Sequence, residues 1–212
     1  CVPTGNFGNV FAGHCARRMG LPIERLLVAS NTNDILTRLI HTGTMTAEEV
    51  VPTLSPSMDI QISSNLERLL FELLGANGPA TAELLTDFRA TGSASLRPEQ
   101  HTELIAGFAG GRLDDTETLD VIRDIHDSTG MLVEPHTAIG IGVARRLRRV
   151  DETVVTLATA HPAKFPDAVE AATGVRPGLP DRLADLHQRP ERLTALPADL
   201  AVVEDFVRAH RR

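Results

Sequence analysis

Val2-Pro3-Thr4-Gly5-Asn6-Phe7-Gly8-Asn9 is the stretch on which the reading of the fold depends. Val2 and Pro3 read as the end of a strand. Gly5 to Asn9 then forms a glycine-rich turn that leads into a helix over residues 10–19, closed by Gly20 and stopped by Leu21-Pro22. Arg25-Leu26-Leu27-Val28-Ala29-Ser30 follows as a short apolar run, which reads as a buried strand. Asn31-Thr32-Asn33-Asp34 is a loop and N-cap ahead of an apolar-periodic helix at 35–41. Strands that alternate with helices predict an α/β domain, with a largely parallel sheet and flanking helices.

The remaining segments extend this pattern. Residues 43–108 read as mainly helical. Leu66, Leu69, Leu70, Leu73 and Leu74 form the clearest amphipathic stripe. Gly75 to Pro79 breaks it, and a further helix is expected over 80–90. Asp114 and Glu117 form a capping box for a helix carrying Leu119, Ile122 and Ile125 and closed by Gly130. Met131-Leu132-Val133 reads as a brief strand, and Pro135 opens a helix to about 148. Ala138, Gly140, Gly142 and Ala144 lie along that helix. Glycine inside a helix costs up to about 1 kcal/mol against alanine, so two of them imply close packing on a neighbour. Thr153 to Thr159 is the strongest strand signal in the sequence. It ends at Ala160-His161-Pro162, before a short helix. Residues 175–197 read as a surface connection, and Leu200 to Arg208 as a last helix on the outside.

Composition excludes several classes of function. The chain has 212 residues, a net charge of −7 and 42% hydrophobic residues, enough for one large domain or two small ones. Trp and Tyr are absent and there are 7 Phe, which argues against a base-stacking platform; the acidic balance argues against binding a phosphate backbone. The Arg145-Arg146-Leu147-Arg148-Arg149 cluster reads as a solvated helix end that complements the helix dipole. No nucleic-acid partner is expected. No apolar run reaches the length of a membrane span, so no membrane partner is expected either. The eight His show no tight ligand pattern, so no metal is expected. Cys1 and Cys15 do not make a disulfide framework, which suggests a reducing cytoplasm. The opening residues read as the middle of a domain.

Three sets of residues carry chemistry. The Gly5–Asn9 turn can converge backbone N–H groups on an anion at a helix N-terminus, with Asn6 and Asn9 adding amide donors. It contains no Lys or Arg and is neither a Walker A loop nor a GxGxxG turn. It fits a phosphate cup or a bare strand–helix turn equally well. Thr159 ends the strongest strand, where open α/β sheets bind ligands. Its hydroxyl could meet a neutral ring nitrogen, although taken alone it reads as a strand residue that caps its own chain. Asn31, Asn33 and Asp34 could face a substrate or form an N-cap cluster.

Five motifs appear in order: Pro3-Thr4-Gly5-Asn6-Phe7-Gly8-Asn9, Ala29-Ser30-Asn31-Thr32-Asn33-Asp34, Ser64-Asn65-Leu66-Glu67-Arg68-Leu69, Glu134-Pro135-His136-Thr137-Ala138 and Thr159-Ala160-His161-Pro162-Ala163-Lys164-Phe165. Together they resemble the C-terminal half of threonine synthase of the longer bacterial and fungal type, from residue 2 to about 172. The resemblance implies an incomplete fold type II pyridoxal-phosphate enzyme, similar to the tryptophan synthase β chain. Residues 1–174 would be the C-terminal part of the catalytic domain, with a helical insertion near 43–108, and 175–212 an extension. Gly5, Asn6, Phe7, Gly8 and Asn9 would hold the phosphate of pyridoxal 5'-phosphate, and Thr159 would meet its pyridine nitrogen. Asn31, Asn33 and Asp34 are the substrate candidates.

The implied reaction converts O-phospho-L-homoserine and water to L-threonine and phosphate, by γ-elimination and then addition of water at the β-carbon. The family's Schiff-base lysine lies in an upstream Ser-Phe-Lys-Asp type motif that this chain does not contain. Lys164, the only lysine, matches a different motif and reads as structural. The isolated chain should therefore be inactive, with the N-terminal half of the enzyme as its missing partner. The alternatives are a related pyridoxal-phosphate dehydratase, or a non-catalytic phosphate- or partner-binding module derived from such an enzyme. The His161–Phe165 run and the insertion after Asp34 favour threonine synthase. The cup and Thr159 should share one side at the carboxyl end of the sheet, with Lys164 directed elsewhere.

Overall fold

The computed structural model describes residues 1–211. The chain forms two compact units, Cys1–Gly178 and Leu179–Arg212. In the first, β1 (Val2–Pro3) leads through the glycine turn into α1 (Gly8–Arg18), then β2 (Leu26–Ser30) and α2 (Ile35–Thr42). The segment from β3 (Thr44–Thr46) to β4 (Ser93–Ser95) holds α3 (Leu66–Leu73) and α4 (Gly78–Thr91). α5 (Pro98–Gly107), β5 (Phe108–Arg112), α6 (Asp115–Thr129), α7 (Pro135–Leu147) and α8 (Pro166–Thr173) complete the unit. The second unit carries α9 (Leu200–His210), none of whose residues is buried.

β1, β2 and β5 form a parallel sheet in the order β1-β2-β5, with Val2 opposite Val28 and Ser30 opposite Arg112. A parallel pair needs a crossover, and α1 supplies it between β1 and β2. One face of the sheet is covered by a core of Val2, Val10, Val28, Leu36, Leu39, Leu69, Leu70 and Phe108. The other face packs Ala29 with Met58, Leu113, Ile139 and Val143. The result is a helix–sheet–helix sandwich whose strands all point their carboxyl ends the same way.

Local signals place several elements as expected. Asp114 accepts from the Glu117 N–H at 2.9 Å, and the Glu117 carboxylate accepts from the Asp114 N–H at 3.0 Å, so the capping box opens α6. Gly130 closes it in the left-handed conformation, at φ 73°. The small residues on α7 do bring the helix close to its neighbours. A Cβ on Gly142 would stand 2.5 Å from Leu113 Cδ2, and one on Gly140 2.8 Å from Thr156 Cγ2 and 3.1 Å from Pro3 Cδ.

Three readings need correction. Met131-Leu132-Val133 is not a strand: it is a short link between α6 and α7, with Met131 exposed and Val133 buried against Ile122, Ala138 and Ala172. It has no strand beside it, so its backbone has no ladder to join. The region 43–108 also contains strands, since β3 pairs antiparallel with β4, Thr44 opposite Ser95. β5 carries no strand signal in Phe-Ala-Gly-Gly-Arg. Its glycines are required by packing on both faces: a Cβ would meet the Thr37 backbone at 3.1 Å from Gly110, and Val143 Cγ1 at 3.0 Å from Gly111.

The Thr153–Thr159 segment is extended but is not assigned as a strand. Two hydrogen bonds nevertheless lay it parallel to β1. The Cys1 nitrogen donates to the Val155 carbonyl at 2.7 Å, and the Leu157 N–H donates to the Cys1 carbonyl at 3.0 Å. This is the parallel bridging pattern, with Thr156 abreast of Cys1. Val155 and Leu157 are exposed, at 71% and 40%. A β-rich run becomes a ladder only where neighbours meet its backbone, and here a single residue does so.

Candidate functional site

Gly5 to Asn9 lies where β1 gives way to α1. Phe7 is the N-cap of α1 and sits in the left-handed region at φ 63°, without any side-chain cap on the helix. The first N–H groups of a helix have no intrahelical acceptor, so the Gly8 end of α1 presents uncapped donors. The Phe7 N–H is not among them, because it donates to Thr4 Oγ1 at 2.9 Å. Its ring is buried and packs on Phe108 at 5.8 Å between centroids. Phe7 thus anchors the turn to the core, while Asn6 and Asn9 are exposed.

A second segment braces the turn. The Asn6 side-chain oxygen accepts from Ser64 N at 3.1 Å and Ser64 Oγ at 3.0 Å, and the Asn6 carbonyl accepts from Asn65 N at 3.2 Å. With its oxygen so engaged, the Asn6 amide keeps its NH2 as a donor. Gly5 packs against the chain at 58–60, where an added Cβ would meet the Met58 backbone and Ile60 at 3.0 Å. Gly8 has more room, since its Cβ would meet Asn65 Nδ2 at 3.4 Å.

The Asn31 and Asn33 side chains point into the protein. Asn31 Nδ2 donates to Thr53 Oγ1 at 2.8 Å, Ser55 Oγ at 3.0 Å and Asp59 Oδ1 at 2.7 Å. Asn33 Nδ2 donates to the Val51 carbonyl at 2.8 Å and Asp59 Oδ1 at 3.0 Å, and Asn33 Oδ1 accepts from Val51 N at 2.9 Å. Both are buried, and their polar atoms hold the 51–59 loop that backs Gly5. Asp34 precedes α2 without capping it through its side chain; its carboxylate accepts from Arg38 Nε at 2.9 Å and lies 3.6 Å from Arg112 Nε.

Glu134 is buried completely, at 0% exposure, and collects four donors. Its Oε1 accepts from Thr137 N at 2.7 Å and Thr137 Oγ1 at 2.6 Å, and its Oε2 from His136 N at 2.8 Å and His136 Nδ1 at 2.6 Å. Burial alone would raise its pKa, but the hydrogen bonds from His136 and Thr137 outweigh burial and hold the carboxyl below its usual range. His136 Nε2 accepts from Ser57 N at 3.3 Å, so the assigned tautomer is neutral with its proton on Nδ1. The ring packs on Phe165 at 4.7 Å. Thr137 Oγ1 in turn accepts from Thr159 N at 3.3 Å.

Thr159 lies three residues beyond Thr156, the residue abreast of Cys1, and its N–H donates to Thr137 Oγ1 at 3.3 Å. Thr159 is exposed. Lys164 is exposed, with its ammonium 5.7 Å from the centre of the Phe165 ring. A groove of about 580 Å³ lies elsewhere, between α1, α3 and α4, lined by Phe11, Arg68, Phe71, Glu72, Leu85 and Arg89. It contains none of the candidate residues. Among the described residues, no group of three or more His, Cys, Asp or Glu could hold a metal ion, and no helix is long and apolar enough to cross a membrane.

Comparison with known proteins decides the family. Residues 137–207 match the family described as "Threonine synthase, C-terminal". The chain is 51% identical to the threonine synthase of Pseudomonas aeruginosa over 211 residues, covering 99% of this chain and 45% of that protein. The chain belongs to the threonine synthase family. Threonine synthase structures carry the same fold. That of the PLP bound threonine synthase from Brucella melitensis aligns over all of this chain and 46% of its own, with a TM-score of 0.91 and 48% identity. The yeast enzyme aligns at a TM-score of 0.86 and 33% identity over 98% of this chain. The chain thus spans about half the length of its relatives and matches the C-terminal half of threonine synthase; its α/β architecture is consistent with fold type II.

Sequence reasoning missed Asp59, Ser57 and Glu134 as parts of this assembly. The first two had no local signal. Glu134 had one, since an acidic residue before Pro135 at a helix start marks an N-cap.

Proposed function

We propose that this chain supplies the cofactor-holding C-terminal part of a threonine synthase, which converts O-phospho-L-homoserine and water to L-threonine and phosphate. The observation that carries this reading is the uncapped N-terminus of α1 at Gly8, set where β1 ends at the carboxyl end of the sheet. The donor set suits the phosphate of pyridoxal 5'-phosphate: backbone N–H groups at a helix start, the Asn6 amide, and a glycine that allows close approach. No cationic side chain is needed at such a site, because the helix end provides the field.

On this reading Gly5, Asn6, Gly8 and Asn9 hold the phosphate, and Phe7 fixes their backbone by burying its ring. The Thr159 hydroxyl meets the pyridine nitrogen as a neutral partner. Asn31 and Asn33 act behind the site, by holding the loop against Gly5, and Asp34 remains the residue of that motif nearest to solvent. When bound, pyridoxal phosphate supplies an electron sink for carbanion chemistry, and the protein supplies binding and orientation. Lys164 is held over Phe165 and does not serve this site. The chain alone is inactive, and the N-terminal half that its relatives carry is its partner. Residues 1–174 belong to the catalytic domain, 175–212 form an extension, and a cytoplasmic location belongs to the same proposal.

The test is a hybrid in which this chain follows the N-terminal half of the Pseudomonas aeruginosa relative. It should release phosphate from O-phospho-L-homoserine and form L-threonine. Formation of a 2-oxo acid from threonine or serine instead would establish a dehydratase. A folded hybrid that takes up no pyridoxal phosphate would leave the non-catalytic module as the reading.

A further inference from the structure

We infer that Glu134, acting through Thr137 and His136, is the positioning residue that sets the spacing between the phosphate turn and the Thr159 hydroxyl. This inference rests on the reading of Gly5–Asn9 and Thr159 as the two ends of one cofactor site.

One polar chain runs from the exposed Thr159 and Ser57 to the buried Thr137, His136 and Glu134. Thr159 N donates to Thr137 Oγ1, and Thr137 Oγ1 donates to Glu134 Oε1. Glu134 Oε2 takes the His136 Nδ1 proton, and His136 Nε2 accepts from Ser57 N. Ser57 adjoins Met58, whose backbone is where a Cβ on Gly5 would collide. One carboxylate therefore ties the Thr159 segment to the support beneath the glycine turn. The need for such a tie is physical. Thr159 is exposed and its segment has only Cys1, the residue ahead of β1, beside it, so the sheet ladder alone does not fix its height. Each donor along the chain faces one acceptor, and the order of protons runs in a single sense from Thr159 to Glu134 and from Ser57 to Glu134. Only a deprotonated carboxylate can receive both branches at once.

That proton order predicts what each substitution does. In Glu134→Gln the amide nitrogen replaces one oxygen. If it faces His136, it meets the backbone N–H and the Nδ1 proton, and a ring that changed tautomer to avoid this would set an Nε2 proton against the Ser57 N–H. If the amide faces Thr137 instead, it confronts the backbone N–H there. The spacing is lost in either orientation. Thr137→Val keeps the backbone cap on α7 but removes the oxygen that accepts from Thr159. Thr137→Ser retains it.

The hybrid enzyme, loaded with pyridoxal phosphate labelled with 15N in the ring, gives separate readouts for the two ends: the ring 15N resonance and the phosphate 31P resonance. Thr137→Val should shift the 15N resonance and leave 31P unchanged, Thr137→Ser should restore the parent 15N position, and Glu134→Gln should move both. An unchanged 15N resonance in Thr137→Val overturns the inference, as does a Glu134→Gln protein with both resonances at their parent positions. Should Glu134→Gln fail to fold, the Thr137 pair decides. A Thr159→Val hybrid whose ring 15N resonance does not move, or a parent hybrid that binds no pyridoxal phosphate, refutes the underlying cofactor reading instead.

Discussion

Asp59→Ala tests how the loop behind the glycine turn is held. The Asp59 carboxylate accepts from Asn31 Nδ2 at 2.7 Å, Asn33 Nδ2 at 3.0 Å, Thr53 N at 2.8 Å and Thr53 Oγ1 at 2.6 Å. After truncation Asn31 keeps Thr53 Oγ1 and Ser55 Oγ, Asn33 keeps the Val51 carbonyl, and the Thr53 hydroxyl can turn to Ser55 Oγ at 3.2 Å. The Thr53 N–H and one N–H of the Asn33 amide lose their acceptors. Each orphaned donor costs about 1–3 kcal/mol, and the bonds from Asn31 and the Thr53 hydroxyl to a charged acceptor give way to weaker ones. Thr53 is half-buried and water can partly compensate, so we expect a total of about 2–3 kcal/mol. If opening of the loop carries this loss, amide hydrogen exchange across 51–60 should speed up roughly 30- to 150-fold, at a factor of ten per 1.4 kcal/mol. Because Met58 and Ile60 pack on Gly5, protection at the turn should fall with it. Measured by mass spectrometry on the hybrid, a change of less than about threefold in the 51–60 peptide would show that Asp59 does not hold this loop.

Further predictions concern the turn, the core and a surface ion pair. Gly8→Ala should leave thermal stability nearly unchanged, because its Cβ meets Asn65 Nδ2 at an ordinary 3.4 Å, yet weaken pyridoxal-phosphate binding in the hybrid; equal affinity would count against the phosphate cup. Gly142→Ala should destabilise the first unit by about 1–3 kcal/mol in urea denaturation, because Leu113 Cδ2 stands 2.5 Å from the new Cβ and both residues are buried. Glu152 accepts from Arg25 at 2.9 and 2.7 Å and from Arg149 N at 2.9 Å, and the Arg25 hydrogen bonds lead in lowering its pKa from 4.5 to about 2. A depressed carboxylate stabilises the fold above its unfolded pKa and loses that contribution as pH falls toward the folded value. Stability should therefore decline between about pH 4.5 and 2 in part through this pair, and Glu152→Gln should flatten that part of the profile.

The sequence by itself determined the elements whose signals are local. The capping box at Asp114 and Glu117, the leucine stripe of α3 and the glycine closing α6 act within a few residues of themselves, so their effects do not wait on the rest of the fold. The order of motifs was enough for the family, and the glycine turn for the place of an uncapped helix start. Tertiary structure decided everything that depends on a distant partner. Phe-Ala-Gly-Gly-Arg is a strand because it pairs along its length with β2, while α2 and α7 leave no room for a side chain at Gly110 and Gly111, which no propensity within the segment reveals. Thr153–Thr159 has the opposite history: strong β propensity, but one backbone neighbour. The same reasoning holds for the polar residues. Asn31 and Asn33 read equally as facing a substrate or as an N-cap cluster, and only the tertiary structure brings Asp59, 28 and 26 residues away, to accept from both. Glu134 reads locally as a helix cap; its link, through His136 and Thr137, to Ser57 and Thr159 exists only because folding brings those two residues to it.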